Sequence, residues 1–140
     1  MPAHRLLPAL VIVGALAAPA GARAVAWQHI TTSADGFTSF YFDAKGSVMH
    51  GSARRVRLLF DFKQLQQDPD TLIEHRSMVE TASIDCRRRT LATIDATSYA
   101  EHMGRGRAVV TQASAQPLKP VVAAPGSIDE RVVDFVCGAR

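Results

Sequence analysis

The chain has little of what usually builds a chemical site. It contains two cysteines, one tryptophan and three lysines in 140 residues. Its histidines beyond the first few residues, His29, His50, His75 and His102, form no His-x-x-x-His or His-Glu-x-x-His pattern. A transition-metal centre needs three or four converging ligands, so neither a metal site nor any cofactor is expected. No nucleophile-elbow motif is present, and His75, Ser77 and Asp85 are the nearest approach to a hydrolase triad. Gly104-Arg105-Gly106 lacks the third glycine of a phosphate cradle, since Val109 stands in its place; it reads as a turn before a strand. Asp61 and Asp85 sit at strand ends rather than as a catalytic carboxylate pair. There are no internal repeats. These absences leave no catalytic residue to name, and a non-enzymatic protein is the reading.

What is present begins with an export signal. Met1-Pro2-Ala3-His4-Arg5 is a short basic start, residues 6–20 are apolar and uncharged, and Ala22-Arg23-Ala24 offers the small-x-small pattern of a cleavage site. The apolar run is short of the roughly 20 residues that span a bilayer as a helix. No cysteine follows it to carry a lipid anchor. Residues 1–24 are therefore read as a cleaved signal peptide, residues 25–140 as one mature domain, and no transmembrane segment is expected after cleavage. Arg5 and Arg23 leave with the signal, so 16 basic against 13 acidic residues become 14 against 13, and the formal charge falls from +3 to +1. Nucleic-acid binding loses its support. The basic character is local, at Arg54, Arg55 and Arg57, at Arg87, Arg88 and Arg89, and at Arg105 and Arg107.

Two cysteines in an exported domain are read as one disulfide, Cys86 to Cys137. A loop of that length gives a chain-entropy stabilisation of about 4 kcal/mol, a large share of what holds a small domain folded.

The mature chain is patterned mainly for strands. Residues 25–31 are rich in strand formers, Asp35-Gly36 is a hairpin signal, and residues 37–42 carry aromatics on both faces. Residues 43–52 read as two turns around a short bridge. Residues 54–62 alternate, with Val56, Leu58, Phe60 and Phe62 on one face and Arg55, Arg57, Leu59 and Asp61 on the other. Residues 63–71 are polar around Pro69 and read as a loop. Residues 72–86 read as one bent strand whose Met78, Glu80, Ala82, Ile84 and Cys86 share a face. Residues 87–94 are expected to continue as a further strand beyond a bulge, and residues 107–112 as another. Residues 113–126 read as an irregular crossover.

The one expected helix starts at Ser127, whose hydroxyl and Glu130 three residues on make a capping box. Ile128, Val132, Phe135 and Val136 form a single apolar stripe, with Cys137 beside it and Gly138 as C-cap. So short a helix is marginal alone in water and needs an apolar surface to lie on.

Taken in order, Trp27, Tyr41-x-Asp43, a basic-apolar strand ending Asp61-Phe62, Arg76-Ser77, Ile84-Asp85-Cys86 with its arginines, Tyr99, Met103-Gly104-x-Gly106, Val109-Val110, Pro125-Gly126-Ser127 and Val136-Cys137 resemble the surface-adhesin protein E family. The resemblance spans nearly the whole mature chain. It implies an α+β fold: a single antiparallel sheet of about six strands, with the C-terminal helix packed on its concave face and tied by the disulfide. Two aromatics usual in the family are replaced, by Leu58-Leu59 in the middle strand and by the Pro117-Leu118 region.

The resemblance also implies an exported binding domain, in the periplasm or at the cell surface, that recognises host or matrix proteins. The alternatives are a periplasmic envelope-associated module without an adhesive role and, in third place, a small exported hydrolase. From the residues alone, Arg54, Arg55, Arg57, Arg87, Arg88 and Arg89 are the candidate ligand-binding patch, suited to acidic glycans, anionic headgroups or acidic protein segments. Oligomeric state is left open, with a dimer as one option.

Overall fold

The computed structural model describes residues 25–113 and 118–138. The expected signal, residues 1–24, and a short piece of the crossover lie outside them. The described residues form eight strands, one α-helix and two single 3-10 turns: β1 (Trp27–Thr32), β2 (Thr38–Asp43), β3 (Val48–His50), β4 (Ala53–Gln67), β5 (Glu74–Asp85), β6 (Thr90–Tyr99), β7 (Ala108–Ala113), β8 (Val121–Val122), α1 (Ile128–Gly138), and the turns Ala44–Gly46 and His102–Gly104. Six strands make one antiparallel sheet in the order β1-β2-β4-β5-β6-β7. The two short strands extend it at one end, β3 pairing with β4 beside β2, and β8 with β6 beside β7. The fold is the expected α+β sheet with a C-terminal helix.

Aspartates close most of the turns, by accepting from backbone N–H groups two or three residues on. Asp35 accepts from Phe37 between β1 and β2, where Gly36 supplies φ +74°. Asp43 accepts from Lys45 and Gly46 before β3. Asp68 accepts from Asp70 and from both the N–H and the hydroxyl of Thr71 before β5, and these hydrogen bonds hold its carboxyl below the usual range.

Several boundaries differ from the sequence expectation: β5 begins at Glu74 rather than Leu72, and the expected irregular crossover contains the short strand β8. The polar residues 63–67 are strand rather than loop: β4 bulges after Asp61 and resumes pairing at Gln66 with His75. Backbone pairing, not side-chain alternation, holds them. Residues 86–89 are the turn between β5 and β6, not the start of a strand, and β6 then runs on to Tyr99. Asp85 accepts from the N–H groups of Arg87 and Arg88, and Arg89 closes the turn at φ +54°. Cys86 therefore does not point into the core with Ala82 and Ile84; it stands exposed just past the strand end.

The core lies between the sheet and α1. Phe42, Val56, Leu58, Ala82 and Ile84 rise from the sheet to meet Val132, Val133 and Val136, with Ile128 and Phe135 at the margins. Each such side chain, fully buried, stabilises by roughly 1.5–3 kcal/mol. Ser127 Oγ accepts from the Glu130 N–H at 3.1 Å, as a capping box requires. Glu130 reaches back one residue further than expected, its carboxylate accepting from the Gly126 N–H at 2.7 Å.

Candidate functional site

The disulfide joins Cys86 in the β5–β6 turn to Cys137 in the last turn of α1, with Cα atoms 5.7 Å apart. Among the described residues, two further contacts fasten that end of the helix. The Arg54 guanidinium donates to the Val136 carbonyl at 3.0 Å, in the last turn of α1, where helix carbonyls generally need partners from outside the helix. Arg89 pairs with Asp134 at 2.8 Å and with Glu130 at 3.6 Å, and the bond from Asp134 raises its already high pKa. Half-exposed ion pairs of this kind contribute little singly. The hydrogen bond of Arg54 and the ion pairs of Arg89 direct both side chains to the helix.

The other arginines of the candidate patch are elsewhere. Arg55 and Arg57 alternate with Arg54 and Val56 on β4, so they emerge on the opposite face of the sheet. Arg57 lies over the Trp27 ring, 5.6 Å from its centroid, and 3.8 Å from Asp43. Arg88 is 80 % exposed, with a loose contact to Asp85 at 4.0 Å. Arg87 is exposed on the turn. The structure thus sorts the six arginines into two that clamp the helix and four that do not.

That opposite face has its own cover, which the sequence did not announce. Leu59 and Val79 are buried there beneath the turn at His102–Gly104. The turn is held by Asp61, which accepts from the Met103 N–H at 2.7 Å and meets His102 Nδ1 at 3.2 Å. Ser77 completes the anchor: its hydroxyl donates to the Glu101 carbonyl and accepts from the Gly104 N–H at 2.9 Å. Gly104 has φ +67°, and a Cβ there would come within 3.0 Å of Val79 Cγ2, so both conformation and space call for glycine. Beside this turn, Val25, Trp27, Arg57, Met103 and Arg105 line an open groove of about 540 Å³. A basic, aromatic and thioether-lined groove suits an acidic protein segment with apolar side chains.

The loose hydrolase grouping is taken apart. Ser77 is committed to the turn on one face, and Asp85 to the arginine turn. His75 lines a cleft with Met78 and Ser98 and stacks edge-on with Phe62 at 5.7 Å. Among the described residues no group of three or more His, Cys, Asp or Glu side chains could hold a metal ion. No helix among them is long and apolar enough to cross a membrane.

Asp61 and Trp27 are site residues that sequence reasoning placed in no site, and Ser77 was weighed only in the hydrolase grouping. Asp61 and the Met103-Gly104-x-Gly106 segment were each visible, but nothing local connects positions about forty apart.

Comparison with known structures places the fold. Protein E of Haemophilus influenzae, crystal form II, superposes with a TM-score of 0.59 at 15% identity, over 88% of this chain and 94% of that one. A second crystal structure of that protein gives 0.58 at 15% identity, over 88% and 91%. Protein E from non-typeable Haemophilus influenzae gives 0.57, again at 15%, over 88% and 82%. At such identity the likeness speaks for the fold alone. No characterised protein matches by sequence. The model of the surface-adhesin protein E family, however, matches residues 27–138, from the Trp27 of the groove to the last turn of the disulfide-tied helix, and the chain belongs to that family.

Proposed function

We propose that the mature chain, residues 25–140, is exported by way of a cleaved signal at residues 1–24 and works at the cell surface as a non-enzymatic binding domain for host or matrix proteins. Membership of a surface-adhesin family supports a binding role. One observation carries the choice of surface. Arg54 and Arg89 are directed to the helix, whereas Arg57 and Arg105 line the groove with Trp27, Arg55 shares the Arg57 face of β4, and Arg87 and Arg88 are exposed on the β5–β6 turn. The binding surface is therefore the groove face, with the exposed arginines of the β5–β6 turn as a second, weaker contribution. Its ligand is an acidic segment of a protein, with acidic glycans as the competing class. Electrostatic attraction to exposed arginines is screened over about 8 Å at physiological salt, so binding should weaken as salt rises.

The test is a binding assay of the purified 25–140 domain on immobilised matrix proteins and acidic glycans at low and high salt. Arg55→Ser with Arg57→Ser should weaken capture severalfold, and Arg87→Ser with Arg88→Ser should weaken it less. Capture unchanged in both pairs would exclude this surface. Protease added to intact cells should cut the protein if it is displayed outside. Complete protection would assign it to the periplasm and to an envelope-associated role instead.

A further inference from the structure

On the helix side of the sheet, a cleft of about 330 Å³ opens between β4–β6, the crossover and the first turns of α1. Its walls are apolar, built by Phe60, Leu91, Ile128 and Val132. At its floor stands Glu80, a carboxylic acid 7 % exposed among these side chains. Thr93 Oγ1 donates to one carboxyl oxygen at 2.7 Å. The second oxygen has no hydrogen-bond partner among the described residues, and Glu80 is one of the side chains that line the cleft.

A buried carboxyl with one oxygen unanswered is costly unless something pairs with it. Burial raises the Glu80 pKa, and Asp129 from the helix and Asp95 from β6 add to the rise. Among the described residues, the one cation lining the cleft is Lys119, on the exposed crossover. Thus the surroundings of Glu80 are apolar with two further negative charges nearby. A cleft of this size is at the small end of ligand pockets, which combine apolar walls with one or two polar anchors.

We propose that this cleft binds a small molecule bearing a protonated amine on a short apolar chain, with the ammonium paired to Glu80 and the chain lying between Leu91 and Val132. The site is on the opposite side of the sheet from the adhesive groove and is independent of it. Apolar walls alone would take a neutral alcohol as readily, and a positive lining would take a carboxylate; a carboxylate floor with Asp129 at the mouth selects the cation.

Hexylamine, hexanol and hexanoate are the probes, titrated into the 25–140 domain and followed by backbone amide chemical shifts. Hexylamine should shift the amides of residues 80, 91, 128 and 132, and should bind about tenfold or more tightly than hexanol, as a buried charge-assisted hydrogen bond implies. Its ammonium stays protonated below about pH 10, so its affinity should rise as pH is raised through the titration of Glu80. Glu80→Gln, which keeps the shape and the partner for Thr93, should abolish the preference for amine over alcohol. Asp129→Asn, on the exposed helix start, should reduce it about twofold to threefold and serves if the Gln variant does not fold. Equal binding of amine and alcohol, stronger binding of hexanoate, an amine preference that survives both substitutions, or no shifts at these residues would each overturn the proposal.

Discussion

The two faces of this sheet are covered by different means. One is covered by a helix, through an apolar layer of Phe42, Val56, Ile84, Val133 and their neighbours, with a covalent bond and two arginines at one end. The other is covered by a single turn, through two apolar side chains, Leu59 and Val79, and a ring of hydrogen bonds around Asp61 and Ser77. The helix is too short to persist on its own, so its cover depends on area and on a tether. The turn has almost no area to bury, so its cover depends on pairing each backbone group it buries. A face held by a small polar network also leaves most of its surface open, and that is the face with the groove.

The comparison can be broken in a definite order. Removing the disulfide with Cys86→Ser and Cys137→Ser should lower stability most, by about 4 kcal/mol for a closed loop of this length. Urea unfolding should show it, and hydrogen exchange should speed up in α1 before the turn at residues 101–105. Exchange rising first in the turn would contradict the separation of the two faces. Next comes Asp61→Ala, which leaves the Met103 N–H without its charged acceptor and should cost about 2 kcal/mol. Its exchange signature should be the reverse, with the turn freed and the helix unchanged. Ser127→Ala should remove the helix cap for about 1 kcal/mol and sharpen the picture of a helix held more firmly at its far end.

The finest test is a slope. Glu80 has a pKa raised in the folded state, so the folded protein holds its proton more tightly than the unfolded chain does. Stability should therefore fall as pH climbs above about 4.5, the ordinary value for glutamate, and through the raised folded value. Glu80→Gln should remove that decline. The difference in urea midpoint between wild type and variant should be near zero at low pH and grow above it. A constant difference across the range would mean that Glu80 titrates alike in both states.

How far the sequence reveals this depends on the range over which each feature is built. The helix was legible because its signals are consecutive: Ser127, Glu130 and a stripe from Ile128 to Val136 all lie within one element. The disulfide was legible because two cysteines allow one pairing. The arginine turn was misread as strand because it has no glycine, proline or asparagine. Its one local cue was Asp85, whose carboxylate accepts from the next turn of backbone, and Arg89 takes the left-handed conformation that such a residue seldom adopts. Residues 63–67 were misread because strand pairing at a bulged end needs no alternation of side chains. The arginine patch was the least legible part. Sequence clusters charges by adjacency, while a strand sends neighbours to opposite faces and a turn sends them outward. Arg54 and Arg55 are adjacent in the chain and answer to different sides of the molecule.

The bond between Cys86 and Cys137 also determines how this domain would carry a load. It spans a separation of 51 residues, so a pull between the ends of the chain passes from the last helical turn directly into the β5–β6 turn. The strands and crossover between those two cysteines are bypassed. About 180 Å of extended chain, at about 3.5 Å per residue, is kept out of reach of the force. A domain wired this way lengthens far less under tension than its residue count suggests, and reduction would return the missing length in one step.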